Sequence, residues 1–327
     1  MTATSTAAQR VCAQMETLWN FAYAPAEHEL ASLYRISKKN QWDAAAVIDW
    51  NQPIGQDGPI LDVAQVYAGA AFVERLSAQE ARELEVRVSA WRLSQFLHGE
   101  QAALLICGQL IGLIPDLDGK QFAAAQAMDE ARHLEAFERY VKRIHRVYPP
   151  DPLLKRIADY ILGSSNYEVK LVGMQIILEG TALASFNLMR RQTGDPALQQ
   201  LLAYILQDEG RHMNFGLLMV KKALAGMSAP ARAVLEDFAW MACDGLYGGG
   251  VGGFRSVDAV WREMGWEPKA ISHDIGLHAP AVKTFNGQVF VDMLVPKLTY
   301  AGLISERVRP LYERSGLLGP APARASA

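Results

Sequence analysis

The residues best suited to chemistry occur in a repeated pattern. A glutamate is followed 30 positions later by a second glutamate, and a histidine stands three positions after the second. The pattern E-x29-E-x2-H occurs twice, in six residues: Glu100, Glu130 and His133, then Glu179, Glu209 and His212. Glu and His three positions apart on a helix lie on one face, so each such pair can point into one site.

Apolar residues flank each glutamate along its helix face, as Phe96 and Ala103 flank Glu100. Ionised carboxylates in such an apolar setting would be strongly disfavoured on their own. Two divalent cations would balance the four negative charges and leave both imidazoles neutral. Bundles that bind two iron ions take a Glu from each of two helices and a Glu-x-x-His pair from each of the other two. The sequence therefore predicts a two-metal centre.

Each histidine motif also carries an aspartate directly before its glutamate and an arginine directly before its histidine. These residues are Asp129 and Arg132, then Asp208 and Arg211. A metal-bound histidine usually donates its other N–H to a carboxylate. Because the two halves are related by the repeat, we expect each aspartate to bond to the histidine of the other half and to pair with the arginines. The alternative is a surface Asp–Arg pair on each helix.

Five long stretches with helical periodicity would position these residues, and strand alternation is almost absent. Ser77 and Glu80 form a capping box at the first of them, and Asp195 followed by Pro196 is a strong helix start. The predicted helices cover 77–114, 119–147, 166–192, 195–226 and 228–246, with a short helix over 152–162. The first four long helices carry the four glutamates, which predicts an all-α fold built on a four-helix bundle.

The remainder of the chain is predicted to surround that bundle. We expect one all-α domain over residues 1–320 and, separately, a disordered tail (319–327). The parts of the domain are a bundle core (77–226), an irregular N-terminal wrap (1–76) and a C-terminal helical extension (227–318). The last long helix of that extension is predicted from about 280 to 315.

Three glycines, Gly248, Gly250 and Gly253, match the pattern GxGxxG. That pattern indicates dinucleotide binding only where it follows a strand and opens a helix. Here it follows a predicted helix, so we expect a flexible loop or lid.

Charge and cysteine content exclude several classes of partner. The chain has 32 Lys and Arg against 35 Asp and Glu, a net charge of -3, which gives no electrostatic basis for binding nucleic acid or an anionic membrane. Its three scattered cysteines favour a reducing compartment, and the N-terminus lacks the pattern of a secretory signal. The longest apolar stretch is interrupted by Gly108 and Gly112 and is too short to span a bilayer. We therefore expect a cytoplasmic protein.

The motifs DEARH and DEGRH resemble those of the ferritin-like di-iron carboxylate superfamily, especially bacterial multicomponent monooxygenases and single-chain di-iron oxygenases. The phrases ILEGTALASF and LISERVRPLYERSGLL also resemble ferritin-like oxygenase-type proteins, and the motif similarity covers about residues 77–226. The resemblance implies two iron ions, with an Mn/Fe pair as an alternative, and O2 as co-substrate. It places Glu100, Glu130 and His133 on one metal and Glu179, Glu209 and His212 on the other, with Glu130 and Glu209 bridging.

Departures from particular relatives narrow the expected activity. Phe137 stands where ribonucleotide reductase small subunits carry a radical tyrosine, and Ile205 stands where arylamine N-oxygenases add a seventh ligand, a histidine. Ferritins are about half as long as this chain. Thr181 lies two positions after Glu179, close to where many oxygenases place a threonine, so it is either a proton relay or a plain helix-surface threonine.

The leading hypothesis is a di-iron monooxygenase that hydroxylates, or similarly oxygenates, a small and mainly apolar or aromatic substrate. Two electrons per turnover would come from an external reductase or ferredoxin, and analogy suggests a homodimer. Amine N-oxygenation on the same cofactor is the alternative, and ferroxidase action or iron storage is a third. The expected pocket is lined by Phe96, Ala103, Leu104, Cys107, Ala127, Phe137, Leu183, Phe186, Ile205 and Phe215.

Overall fold

The computed structural model describes residues 9–21, 23, 28–55, 57–248, 256–279 and 289–319. Within these ranges all the regular structure is helical, so the all-α prediction is confirmed. Four short helices precede the bundle: α1 His28–Lys39, α2 Ala44–Val47, α3 Val63–Val66 and α4 Ala71–Glu74. The bundle and its connection then comprise α5 Ala78–Leu113, α6 Leu117–Ile144, α7 Pro152–Gly163, α8 Tyr167–Gln192 and α9 Pro196–Ala225.

The bundle helices begin where the sequence provides capping groups. The Ser77 hydroxyl accepts a hydrogen bond from the Glu80 amide, and the Glu80 carboxylate accepts one in return from the Ser77 amide. Asp116 caps α6 through the Gly119 amide at 2.6 Å, and Asp195 caps α9. Because these caps are local, the observed bounds of the bundle helices lie within three residues of the predicted bounds.

Helix α8 contains a wide turn that periodicity does not predict. Its segment Leu171–Leu178 is a π-helix, which ends directly before Glu179. The backbone of α9 approaches this segment closely, because a methyl group added at Gly216 would lie 2.5 Å from Cβ of Gln175. Single π turns inside α-helices occur frequently at functional sites.

Two apolar core clusters lie on either side of the buried glutamates. Along α5, Leu93 and Leu97 belong to one cluster, and Ala103 and Ile106 belong to the other. Glu100 lies between the two pairs and is itself buried. The glutamates of α6, α8 and α9 likewise lie between residues of the two clusters, so the charged residues form one layer across the middle of the bundle.

The segments outside the bundle differ from the expectation in two places. The N-terminal wrap was expected to be irregular, yet α1 is a 12-residue helix that packs on α6 and α9. The predicted last long helix is wrong, because the chain turns at Gly302, where φ is +76°. The helices after α9 are α10 Ala229–Tyr247, α11 Asp258–Glu263, α12 Pro268–His278, a π segment Val289–Leu294 leading into α13 Val295–Tyr300, and α14 Arg309–Arg314.

Two predictions concern residues at or beyond the described ranges. Gly248 ends α10, and the rest of the predicted glycine loop, including Gly250 and Gly253, lies outside the described residues. The predicted tail also lies outside them after residue 319.

Two bundle helices have the length and apolar composition of a membrane span. These are Ala78–Leu113 and Tyr167–Gln192, and their most apolar windows are 44% and 78% buried inside the protein. Each carries one of the buried glutamates and packs against other bundle helices. Core helices meet the same criteria of length and composition, so these two give no clear membrane span.

Candidate metal centre

The six residues of the repeat meet in the middle of the bundle. Ligand atoms of Glu100, Glu130, His133 and Glu209 lie within 4.8 Å of one another, as do those of Glu130, Glu179 and His212. All six side chains are buried, and the two histidines and the two motif glutamates are fully so.

Glu130 and Glu209 each face both imidazoles. Glu130 places Oε2 3.4 Å from Nδ1 of His133 and Oε1 3.3 Å from Nδ1 of His212. Glu209 places Oε1 3.3 Å from the first imidazole and Oε2 3.6 Å from the second. Glu100 lies on the His133 side, with Oε2 3.4 Å from Nδ1 of that histidine. Glu179 lies on the His212 side, with Oε1 3.8 Å from Nδ1 of that histidine.

Several buried atoms of this cluster have no hydrogen-bond partner among the described residues. Buried polar atoms are normally paired, and an unpaired one is costly. The unpaired atoms are Glu130 Oε2, both carboxylate oxygens of Glu209, and Nδ1 of His133 and His212. All of them are metal-ligand atom types, so this donor set fits two first-row metal ions.

The other nitrogen of each imidazole contacts an aspartate from the opposite half of the bundle. Nε2 of His133 lies 3.0 Å from Asp208, and Nε2 of His212 lies 3.2 Å from Asp129. Because a carboxylate accepts, each Nε2 donates, and Nδ1 is the nitrogen that faces the centre. The two arginines tie the aspartates together: Arg132 contacts both aspartates, and Arg211 contacts both as well.

Three residues near the end of α1 complete this network, and sequence reasoning did not predict them. The indole N–H of Trp42 donates to Asp208 at 2.7 Å, and the Gln41 amide donates to Asp129 at 3.0 Å. Ser37 also donates to Asp129, at 3.3 Å. They lie outside the repeat, and no spacing connects them to the motifs.

Two buried glutamines on the other side of the cluster were also missed. The Gln126 amide donates to Glu130 at 3.0 Å and to Glu179 at 2.9 Å, so it links the two halves. Gln175, within the π segment, donates to Gln126 at 2.8 Å. A signal for Gln126 did exist, since it lies one turn before Glu130 on the same face.

Burial and crowding of like charges perturb the acids and bases of the centre. Burial raises the pKa of Glu100 to about 8 and that of Glu179 to about 8. Burial opposes the charged form of His133, but the surrounding carboxylates outweigh it and raise its pKa, and the same holds for His212. The centre therefore holds protons that a divalent cation would displace.

A cavity of about 630 Å³ adjoins the centre on the side of Glu100 and Glu179. Its walls are mainly apolar and aromatic, with Trp91, Phe96 and Trp261 among them. This volume lies in the range of small-molecule sites.

The cavity includes two of the ten residues predicted to line the pocket. Phe96 and Ala103 line the cavity, but eight other predicted residues do not, namely Leu104, Cys107, Ala127, Phe137, Leu183, Phe186, Ile205 and Phe215. Phe137, Phe186 and Ile205 are fully buried in one apolar cluster, and Cys107 and Phe215 are fully buried in the other. Periodicity identifies the inward face of a helix, and close packing fills most of that face.

Thr181 is half-buried and lines the same cavity as Glu179. Its hydroxyl lies 2.7 Å from the Ile177 carbonyl, to which it donates, and 2.6 Å from the Tyr247 hydroxyl. Thr181 has one hydroxyl proton, so Tyr247 is the donor in the second contact. Burial raises the pKa of Tyr247, which therefore stays a neutral phenol.

The helical bundle and its buried carboxylate–imidazole centre define a protein of the ferritin-like di-iron or Mn/Fe carboxylate superfamily. The family model described as p-aminobenzoate N-oxygenase AurF matches residues 24–243, and the chain belongs to this family. It is accordingly an O2-dependent oxidoreductase, as predicted. A comparison with curated proteins finds no significant match.

Solved structures agree on the fold. Two variants of an R2-like ligand-binding oxidase, both anaerobically reconstituted with an Mn/Fe cofactor, superpose with TM-scores of 0.54 and 0.51. The first is 18% identical, covering 87% of this chain and 96% of the other. The second is 20% identical, covering 81% and 95%.

Proposed function

We propose that Glu100, Glu130 and His133 hold one metal ion, that Glu179, Glu209 and His212 hold the other, and that the protein oxygenates a small organic substrate with O2. The observation that carries this proposal is that Glu130 and Glu209 each direct one oxygen to each imidazole. Bound there, two iron ions or an Mn/Fe pair would supply the reactivity toward O2. An external reductase or ferredoxin, a homodimer and a cytoplasmic location belong to the same proposal.

The chain's own residues would orient the ligands and hold the substrate. Asp129 and Asp208 fix the two imidazole rings, which strengthens them as ligands. The apolar cavity would exclude water and hold the substrate against Glu100 and Glu179. Thr181 and Tyr247 line the same cavity as Glu179, and their hydrogen-bonded hydroxyl groups could hold a proton there.

Metal content tests the ligand assignment. Protein purified from iron-supplemented cells should carry close to two metal ions per chain, and a Glu100→Ala, Glu209→Ala double variant close to none. The matched control is Glu135→Ala, Glu138→Ala, which removes two exposed glutamates from α6. Equal metal content in the two double variants would overturn the assignment.

Amine N-oxygenation is the second candidate, and the family match favours it. One feature weighs against it: Ile205, one turn before Glu209, is fully buried in an apolar cluster and offers no ligand atom. The test supplies aromatic amines, O2 and a chemical reductant to the metal-loaded protein. Nitroso or nitro products would establish N-oxygenation, and their absence alongside hydroxylation of an apolar compound would exclude it.

A further inference from the structure

A pair of buried glutamines lies beside the centre and outside the cavity. Gln126 on α6 and Gln175 in the π segment of α8 are both fully buried, and neither lines the cavity. Ala123 and Met174, close to them along the two helices, belong to the same apolar cluster. Polar side chains in such surroundings are costly unless they are hydrogen-bonded, so the partners of these two amides show what the pair does.

The hydrogen bonds of Gln126 fix the orientation of its amide. The NH2 group donates to Oε1 of Glu130 at 3.0 Å and to Oε1 of Glu179 at 2.9 Å, which uses both of its hydrogens. The carbonyl oxygen accepts from the Gln175 amide at 2.8 Å. The reversed amide would place its oxygen against two carboxylate oxygens, none of which could donate when ionised. A single orientation therefore satisfies all three contacts.

The two oxygens that Gln126 holds are oxygens that face His212. Oε1 of Glu130 lies 3.3 Å from Nδ1 of His212, and Oε1 of Glu179 lies 3.8 Å from the same nitrogen. A carboxylate oxygen has two lone pairs, so an oxygen that accepts one N–H can still bind a metal ion. Gln126 therefore sets the position of two oxygens that a metal ion beside His212 would bind.

The His133 side of the centre lacks such a donor within the described part of the chain. Oε2 of Glu130 lies 3.4 Å from Nδ1 of His133, and Oε1 of Glu209 lies 3.3 Å from it. Neither of these oxygens accepts a hydrogen bond from a described residue. The third carboxylate on this side, Glu100, lines the cavity. The two sides of the centre thus differ in how their carboxylates are held.

The sequence repeat shows where this difference originates. The motif residues of the first half recur 79 positions later in the second half. At the same spacing Gln126 corresponds to Ile205, and Gln175 corresponds to Phe96. Ile205 is fully buried in an apolar cluster, and Phe96 packs against that cluster. Neither side chain can donate a hydrogen bond, so at these positions the polar pair is present on one side of the centre and absent from the other.

Close packing holds the glutamine pair in place. A methyl group added at Gly216 on α9 would lie 2.5 Å from Cβ of Gln175, so this glutamine lies directly against the backbone of α9. One turn before Gln126 on α6, Phe122 stacks on Phe215 with ring centroids 4.5 Å apart. A ligand is oriented more effectively when the group that supports it is itself fixed by packing and hydrogen bonds.

We propose that Gln126 is a positioning residue for the metal ion beside His212, and that none of the described residues does the same for the ion beside His133. A carboxylate that is already held in place loses less freedom when the metal ion binds. The ion beside His212 therefore binds more tightly than the ion beside His133. Gln175 acts through Gln126, whose amide it orients. This inference rests on the proposed function, because it concerns the ligands of that centre.

Titration of metal-free protein with Mn²⁺ tests the proposal without measuring catalysis. The electron paramagnetic resonance signal of the free ion reports how much remains unbound. The wild type should bind two ions in two separate steps. Gln126→Met keeps the length of the side chain but cannot donate, so the tighter step should weaken about tenfold or more while the weaker step changes little. The control is Ile205→Met, a matched change at the corresponding position of the other half, which should alter neither step.

Three results of this titration would overturn the proposal. They are binding of both ions in a single step by the wild type, equal weakening of the two steps in Gln126→Met, and no weakening in that variant. Gln175→Met should weaken the same step as Gln126→Met but by a smaller factor, because the two bonds from Gln126 to the carboxylates remain. A larger effect of Gln175→Met would contradict its action through Gln126.

Histidine variants assign each step to one side of the centre. His133→Ala retains the site beside His212, and His212→Ala retains the site beside His133. Gln126→Met should weaken Mn²⁺ binding in the first background about tenfold or more and change it little in the second. A residue that only supports the fold would weaken both backgrounds equally, and that result would overturn the proposal. Where a histidine variant loses its helical circular dichroism, the two-step titration decides alone.

The two proposals fail in distinguishable ways. A wild-type protein that binds no Mn²⁺ would contradict the two-metal centre, and the role of Gln126 with it. A wild-type protein that binds two ions, with affinities that Gln126→Met leaves unchanged, would contradict only the role of Gln126.

Discussion

Each imidazole of the centre is oriented by a carboxylate from the other half of the bundle. The Asp208 carboxylate accepts hydrogen bonds from N–H groups of His133, Trp42 and Arg132. The Asp129 carboxylate accepts from a similar set of donors, which includes His212. Hydrogen bonds from these donors outweigh the effect of burial and lower the pKa of both aspartates. The repeat predicts the motif residues, because a glutamate and a histidine three positions apart on a helix lie on the same face. It cannot predict Trp42, which approaches from an unrelated segment.

Replacing Asp208 by asparagine should weaken metal binding by about 10–100-fold. The amide keeps the shape of the carboxylate, but it accepts more weakly from His133 and leaves Arg132 and Arg211 with less negative charge to balance them. Competition with a chromophoric chelator measures the affinity. The control is Asp237→Asn, which removes a half-exposed carboxylate paired with Arg307. An affinity within twofold of the wild type would mean that Asp208 has no part in orienting the ligand.

The sequence pattern could not predict the π-helical segment of α8. Its residues LVGMQIIL are uniformly apolar apart from one glutamine, so their pattern is that of an ordinary buried helix. The wide turn fits the close packing around it: a methyl group at Gly173 would meet Ile161 and Phe238 below 3 Å, and one at Gly216 would meet Gln175. In consequence Gln175 reaches Gln126, and Glu179 follows directly.

The close approach at Gly216 gives a matched pair of variants. Gly216→Ala places a methyl group 2.5 Å from Cβ of Gln175, so α8 and α9 must separate, and the free energy of unfolding should fall by about 1–3 kcal/mol. Gly210→Ala lies on the same helix, meets nothing within 4 Å, and should raise the free energy of unfolding by about 0.5–1 kcal/mol. Urea unfolding of the metal-loaded protein measures both. A similar gain in the two variants would show that helix propensity, rather than the contact with Gln175, governs the result.

Across the whole molecule, the fold is more predictable than the cavity. Caps such as Ser77 and Asp195 and the periodicity between them predict the bundle, because these signals are local. The cavity depends on how distant elements meet: Tyr67, Arg92 and Trp261 come from three separate parts of the chain. Phe137 and Phe186 share the inward face with Phe96 but fill space instead of bounding it.

The layer of charge between the two apolar clusters should make stability depend on metal and pH together. In the metal-free protein the pKa of Glu100 and that of Glu179 are about 8 against a reference value of 4.5. Between those pH values the folded state holds more protons than the unfolded state, so the free energy of unfolding falls as pH rises. The raised pKa values of His133 and His212 act in the same direction above pH 6.5.

We therefore expect the urea midpoint of chelator-treated protein to fall steadily from pH 5.5 to pH 8. The m-value, which is the dependence of the free energy of unfolding on urea concentration, should stay nearly constant. The lowered pKa values of Asp129 and Asp208 have the opposite effect, but only below their reference value of 3.8, outside this range. Metal-loaded protein should not show the fall, because divalent cations replace the protons and bind more tightly as pH rises. A Glu100→Gln, Glu179→Gln variant, studied without metal, should show a shallower fall than the wild type. The same pH dependence with and without metal would mean that the carboxylates of the centre do not control the stability of the bundle.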